Sequence, residues 1–168
     1  CGVQGAEADI AAGRNPHVAG DSYLEVGPIV GSLAMTYDWC GARMTAAQKT
    51  RWATFINQAI YNVWHPSQAS WGGRSAPWSG WSIDNPGNNY YYSFLEATMY
   101  WALASHDSTL LSFVRNEKLT PLVNYFAQIP GGGSLEGTGY GVAHMRMFQL
   151  YQVWKDSTGE DLANLSTH

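Results

Sequence analysis

The sequence predicts an all-α protein with a single domain. Helical periodicity dominates the chain, and nowhere does the pattern indicate several short alternating strands. Its 168 residues are enough for one domain with a hydrophobic core. Loops rich in Gly and Trp separate the helical segments, so we expect helix pairs whose loops gather at one end of the molecule.

The first two helices are predicted over residues 22–39 and about 45–64. In the first, Pro28 marks either a kink or a late start. In the second, Thr45 and Gln48 form a capping box, and apolar residues follow at three- and four-residue steps. The opposite, polar face of this helix is predicted to carry Arg51, Thr54, Asn57, Gln58 and Asn62.

Residues 65–88 form a long loop with three Trp, four Gly and three Pro. A loop of this length inside a compact domain is usually functional. The helix predicted after it, over about 89–105, is apolar almost all round beyond its first turn. We therefore expect this helix to be buried on most sides.

A further helix is predicted over about 108–128, capped by Asp107 or Ser108. Pro121 either kinks this helix or starts a second one. A flexible Gly-rich loop over 130–139 follows it. A final long helix covers about 140–156, and the last residues resemble a turn and the beginning of another helix.

The composition indicates a polar surface with little charge. Charged residues make up 13% of the chain, against roughly 25% in an average globular protein. Aromatic residues make up 14%, and their ring faces, together with side-chain amides, suit polyhydroxylated ligands. The alternative is an aromatic-rich core. A net charge of −4 without a Lys/Arg run argues against nucleic acid, and no apolar run approaches the ~20 residues of a membrane span.

Cysteine and histidine usage does not indicate a metal site or a cofactor. Cys1 and Cys40 give neither a disulfide framework nor a zinc motif, and the histidines lack ligand spacing. Cys40 follows a predicted helix and is expected to be a buried thiol. The start of the chain has the character of a mature N-terminus, and we expect a secreted or periplasmic protein.

Two amides open the helix predicted over 89–105. Free backbone N–H groups and the helix dipole make such a position receptive to carboxylates. Asn89 is the candidate ligand for a carboxylate there, with Asn88 as its companion. The alternative is that Asn88 only caps the helix and Asn89 is solvated.

Tyr140 and His144 are the candidate proton-transfer groups. Four residues apart on a helix, they share one face, whereas Arg146 points away from them. A phenol and an imidazole both move protons when neighbouring groups tune them. The alternative is that both pack in the core beside Phe148 and Tyr151.

Two hydrolytic chemistries have weaker support. The segment GGGSLEG lacks the nucleophile elbow G-x-S-x-G because Glu136 stands at the position of the second Gly. A glycosidase needs two carboxylates at a defined separation, and Asp38, Asp84, Glu96 and Glu136 are candidates that sequence does not pair.

Three segments resemble the heparinase II/III-like and alginate lyase-like polysaccharide lyases. AMTYDWCGARMTAAQKTRW resembles their helix-turn-helix segment, and NNYYYSFLEATMYWALA resembles their amide-bearing helix. GGGSLEGTGYG resembles their Gly-rich loop that leads to a catalytic tyrosine. The order and approximate spacing of the three also match, over roughly residues 35–162.

The resemblance implies an (α/α) toroid and β-elimination on a uronic-acid-containing polysaccharide. In that reaction the C5 carboxylate is neutralised, the C5 proton is removed and the leaving O4 is protonated. By the resemblance Asn89 neutralises the carboxylate, with Asn88 beside it. Tyr140 is then the base, the acid or both, and His144 either lowers the pKa of the tyrosine or takes the C5 proton itself.

The chain departs from the family pattern at two positions and in length. Tyr90 stands where the family has a His, and Gly133 where it has an Arg, so Arg74 or Arg146 is the candidate cation. Family toroids continue further, so residues 1–168 would be a partial toroid domain that associates with the rest of a longer chain or with other copies. The candidate substrate-binding residues are Asn88, Tyr90, Arg74, Trp78, Trp81, Glu136 and Arg146.

Two other functions stay open at this point. One is a toroid glycoside hydrolase that uses Asp or Glu as its acid. The other is a helical module that binds carbohydrate without cleaving it.

Overall fold

The computed structural model describes residues 2–129, 133 and 135–165, and these residues are mostly helical. The prediction of an all-α protein is therefore confirmed. The α-helices are α1 (Gly2–Ala11), α2 (Val26–Cys40), α3 (Ala46–Trp64), α4 (Asn89–Ser105), α5 (Ser108–Phe113), α6 (Thr120–Ala127) and α7 (Gly141–Thr158). Two short strands, β1 (Ser70–Trp71) and β2 (Arg74–Ser75), pair antiparallel. Cys1, Pro130, Gly131, Gly132 and Ser134 lie outside the described residues, as do the last three residues.

Helix α2 begins later than the first turn predicted for it. Asp21, Ser22 and Tyr23 all have positive φ angles of 43° to 64°, so the chain cannot continue them into a right-handed helix. Pro28 therefore marks a late start and not a kink. Cys40, the last residue of α2, is exposed, so the prediction of a buried thiol was wrong: the helix end meets solvent there.

Helix α3 has the predicted capping box. The Thr45 hydroxyl accepts a hydrogen bond from the Gln48 backbone N–H at 3.2 Å, and the Gln48 side chain accepts one from the Thr45 N–H at 2.8 Å. These bonds satisfy two N–H groups that the first turn would otherwise leave unpaired. The local signals therefore fixed the start of this helix.

One residue of the predicted polar face of α3 is fully buried. Asn62 donates from Nδ2 to the Ser70 carbonyl at 2.8 Å and accepts from the Ser70 N–H at 3.0 Å. Its own backbone carbonyl accepts from the Trp78 indole at 2.8 Å. Asn62 is buried because it anchors the loop of residues 65–88, called the Trp-rich loop below, to α3. Trp71 of that loop is itself part of the core.

Helix α4 is the central element, as its all-round apolar sequence predicted. One side packs in a core with α2 and α3, and the other side packs in a second core with α6 and α7. The side chains on the first side include Phe94, Ala97 and Trp101, and those on the second include Tyr91, Tyr92, Leu95, Met99 and Ala102.

Helices α2 and α4 approach closely because α2 presents glycine to α4. A Cβ added at Gly27 would lie 2.6 Å from the Ser93 hydroxyl and 2.8 Å from Glu96 Oε2. The Ser93 hydroxyl also accepts from the Gly27 N–H at 2.9 Å and donates to the Leu24 carbonyl. The start of α2 is therefore fixed against the first turns of α4.

The region after α4 is helical throughout residues 108–127, and its hydrogen-bonding pattern changes in the middle. Asp107 caps α5 through its carboxylate, which accepts from two backbone N–H groups. A π-helical stretch, Val114–Leu119, then leads into α6, where Pro121 occupies the first turn. Leu119 and Thr120 already have right-handed helical φ/ψ, so Pro121 lies within a continuous helical run and starts no separate helix.

Three helices run side by side in one direction. Residues from the N-terminal ends of α2, α4 and α7 line one cavity, and residues from their C-terminal ends line another. Helix α3 and the α5–α6 segment make the connections between these three. Within the described ranges, no helix is both long and apolar enough to cross a membrane.

Candidate functional site

The candidate site is a cavity of about 280 Å³ at the N-terminal ends of α2, α4 and α7. It brings together the start of α2, the first residue of α4 and the first turn of α7. The residues that line it are Leu24, Glu25, Pro28, Asn89, Gly139, Tyr140, Val142, Ala143 and Arg146. Asn89, Tyr140 and Arg146 were candidates from sequence, and the fold places all three in one cavity.

Asn88 caps α4, which is the role that the alternative interpretation gave to this residue. Its Oδ1 accepts from the Tyr90 N–H at 3.0 Å, and its Nδ2 donates to Glu136 Oε1 at 3.0 Å. The Glu136 carboxylate also accepts from the Asn89 backbone N–H. The protein's own Glu136 carboxylate therefore binds the Asn89 backbone N–H, one of the helix N–H groups that were assigned from sequence to a sugar carboxylate, and Asn89 itself lines the cavity.

Glu136 is partly buried at this helix end. Burial raises the pKa of its carboxyl, while the Asn89 N–H and the nearby His144 oppose that rise. A carboxylate at a helix N-terminus is also favoured by the helix dipole. Glu136 therefore links the Gly-rich loop to the amide pair of α4.

Tyr140 is the N-cap residue of α7 and its side chain is 43% exposed. It lines the cavity across from Asn89 of α4. Tyr90, one residue further along α4, donates its hydroxyl to Asp21 at 3.0 Å. Burial first, and then the hydrogen bond to Asp21 and the charge of that carboxylate, raise the pKa of Tyr90.

His144 does not lie in the cavity with Tyr140. Its ring packs edge-on against Phe126, with ring centroids 5.8 Å apart, and its Nε2 is buried. The described residues that line the cavity do not include it. The four-residue spacing misled here because Tyr140 precedes α7, with φ −100° and ψ 28°, and so does not follow helical periodicity.

Arg146 lies in the cavity, against the sequence prediction that it points away from Tyr140. Its Nε is 3.1 Å from Glu96 Oε2, and both side chains are mostly buried. Burial raises the pKa of the Glu96 carboxyl, and the charge of Arg146 opposes that rise. Arg146 is therefore the cation of the site, held in place by a carboxylate on α4.

The other candidates for substrate binding lie elsewhere. Arg74 is exposed and donates to Asn15 Oδ1 at 2.6 Å. Trp78 packs in the core, 5.1 Å from Tyr23 between ring centroids, and Trp81 is 57% exposed in the loop. Of the described residues that line the cavity, none belongs to the Trp-rich loop.

Sequence reasoning missed the contribution of α2. Leu24, Glu25 and Pro28 line the cavity, and Glu25 is the N-cap residue of α2. The available signal was Pro28 in the first turn of a helix, which would have put the helix start near residue 26. The sequence alone left that late start open beside a kink, and no residue before it was named as a candidate.

Two kinds of positive group face the cavity: three helix N-termini, each equivalent to about half a positive charge, and the Arg146 guanidinium. Three carboxylates oppose them: Glu25 at the cavity wall, Glu96 in the ion pair with Arg146, and Glu136 on the first backbone N–H of α4. In the described part of the chain, no cluster of three His, Cys, Asp or Glu side chains could hold a metal ion.

Comparisons of the chain with protein-family models, with curated proteins and with solved structures find no match.

Proposed function

We propose that the protein is a polysaccharide lyase that cleaves a uronate polymer by β-elimination. The observation that carries the proposal is the cavity in which Asn89, Tyr140 and Arg146 meet at three helix N-termini. It combines a guanidinium at three helix N-termini with an uncharged amide and an accessible phenol. These are the groups that the reaction needs, because it must bind a carboxylate and move one proton.

In the proposed mechanism, the substrate carboxylate lies against Arg146 and the amide of Asn89. Hydrogen bonds from these groups strengthen as removal of the C5 proton turns the carboxylate into an enolate-like anion. The Tyr140 hydroxyl oxygen takes the C5 proton as its own proton passes to O4. The C4–O4 bond breaks and a C4–C5 double bond forms in the same step, so Tyr140 ends as the neutral phenol it began as.

His144 has a supporting role in this mechanism and takes no proton from C5. It lies near Glu136, whose carboxylate accepts from the Asn88 side chain and from the Asn89 backbone N–H. Glu136 therefore holds the amide pair in place, and the charge of His144 favours the ionised form of that carboxylate. This assignment keeps Tyr140 as the base and the acid.

We further propose that the helices form part of an (α/α) toroid. In a ring of helix hairpins, alternate helices run parallel on the inside and their partners return on the outside. The parallel helices α2, α4 and α7 fit the inner set, and α3 and the α5–α6 segment fit the returning set. The candidate site would then lie at the end of the ring where the inner helices begin.

The test is incubation with alginate, heparan sulfate, hyaluronan and pectate, followed by ultraviolet absorbance from the unsaturated uronate product. We expect signal with at least one polymer, and a loss of about 100-fold or more in Tyr140→Phe and in Asn89→Ala. Tyr61→Phe is the matched control, because Tyr61 is 41% exposed and its hydroxyl binds Gln68 far from the cavity.

Other results would contradict the proposal in distinguishable ways. Full lyase activity in Tyr140→Phe would show that the tyrosine assignment is wrong. New reducing ends without absorbance, lost in Glu25→Gln, would indicate a hydrolase. Binding of a polymer with neither signal would indicate a carbohydrate-binding module.

A further inference from the structure

A second cavity, of about 400 Å³, lies at the opposite ends of the same three helices. Asp38 and Trp39 of α2, Tyr100 and Leu103 of α4, and Val153 of α7 line it. It shares no lining residue with the candidate site. An inference about it therefore does not depend on the lyase proposal.

The electrostatics of this cavity are the reverse of those at the candidate site. Three helices end here, and each C-terminus carries about half a negative charge. Asp38 adds a full negative charge and forms no ion pair with any described Lys or Arg. The described lining residues include no Lys or Arg either. The cavity therefore favours a cation.

The walls add a surface that suits an organic cation in particular. The Trp39 indole is 77% exposed, and an indole face attracts an ammonium group more strongly than other aromatic rings do. Met35, Leu103 and Val153 offer apolar contact to a carbon body. A bare metal ion would find few ligands here, and an anionic sugar would be repelled.

His106 completes the rim of the cavity. It is the C-cap residue of α4, and its N–H donates to the carbonyls of Ala102 and Leu103. Its backbone is left-handed, with φ 54°, a conformation that few residues other than glycine adopt. This cap places His106 at the rim of the cavity.

We infer that this cavity binds a small organic cation, an ammonium group carried on a compact apolar body. The cation lies in the cavity that the Asp38 carboxylate and the Trp39 ring both line, at the C-terminal ends of the three helices. This activity is separate from polymer cleavage and sits at the other end of the helix bundle.

The test uses choline and its uncharged analogue 3,3-dimethylbutan-1-ol, which has the same shape. Isothermal titration should give choline a dissociation constant of about 1 mM, and the alcohol should bind about fivefold more weakly or worse. Asp38→Asn and Trp39→Ala should each weaken choline binding about fivefold or more. Trp81→Ala, an exposed Trp outside the cavity, should leave choline binding unchanged.

Three outcomes would overturn the inference. Equal binding of the alcohol would show a merely apolar cavity, and unchanged choline binding in both variants would place the cation elsewhere. Absence of choline binding up to roughly 50 mM would exclude the site. If Trp39→Ala then also alters the oligomeric state, the cavity is part of an interface and not a cation site. Because Asp38 and Trp39 are both exposed, we expect the two variants to fold as the unmodified protein does, and circular dichroism verifies this.

Discussion

The ion pair between Arg146 and Glu96 decides where the cation of the candidate site lies. Glu96, on α4, lies against Gly27 and Gly31 of α2, and burial there raises the pKa of its carboxyl. A partly buried pair of this kind contributes little net stability, but loss of one partner leaves an uncompensated charge. The main role of this ion pair is therefore to position Arg146, and its net contribution to the free energy of unfolding is small.

The raised pKa of Glu96 predicts a pH dependence of stability. The native state binds this proton more tightly than the unfolded chain, whose carboxyl has an ordinary value of 4.5. The free energy of unfolding therefore falls as pH rises from about 4.5 through the native value. Glu96→Gln should remove this part of the slope, as measured by urea unfolding between about pH 4 and about pH 7.

The control for this prediction is Glu117→Gln, at an exposed carboxylate on the π-helical stretch. It should leave the slope close to that of the unmodified protein. Parallel slopes for Glu96→Gln and the unmodified protein would contradict the assignment of the proton to Glu96.

At the scale of elements, the contact between α2 and α4 depends on glycine. A methyl group at Gly27 would meet the Ser93 side chain and backbone carbonyl at 2.6 and 2.8 Å, so one helix must move. That movement would carry Leu24 and Glu25 away from Asn89. The packing of these two helices therefore sets both the core and the width of the candidate site.

We expect Gly27→Ala to lower the free energy of unfolding by about 1–3 kcal/mol, because overpacking forces the helices apart. Gly5→Ala is the matched control: Gly5 lies in α1, and nothing stands within 4 Å of an added Cβ. That change should raise the free energy of unfolding by about 0.5–1 kcal/mol, through the helix preference for alanine. Urea unfolding of both variants measures the difference, and a Gly27→Ala protein as stable as Gly5→Ala would refute the packing account.

At the scale of the whole molecule, α7 presents an apolar face to solvent. Val142, Met145 and Phe148 are 69%, 59% and 60% exposed, at three-residue steps along the helix. The opposite face of α7 packs against α4. An exposed apolar face of this kind favours association.

We expect the protein to self-associate weakly as its concentration rises. The double substitution Met145→Glu and Phe148→Glu should shift it towards the monomer, because charge opposes burial of that face. Sedimentation velocity measures the shift. Trp81→Glu, at an exposed Trp of the loop, is the control and should not change association; a protein that stays monomeric throughout would contradict the prediction.

Much of the helical structure could be predicted because its signals are local. The capping box at Thr45 and the cap at Asn88 each involve residues only a few positions apart, and they set the starts of α3 and α4. The all-round apolar sequence of α4 predicted its central position. Helix α1 was missed, since two Gly and no capping pair leave little local signal in GVQGAEADIA.

Local sequence patterns specify which residue types are available for chemistry, including Asn89 and Tyr140, and the helices at whose starts they lie. The folded structure places Arg146 in the cavity with them, sets His144 apart and packs Trp78 against the core. It also decided that Glu136, 48 residues from Asn88, binds the start of α4. These facts depend on contacts between distant segments, and helical periodicity specifies only how a helix repeats along its own axis, not which neighbour packs against each face.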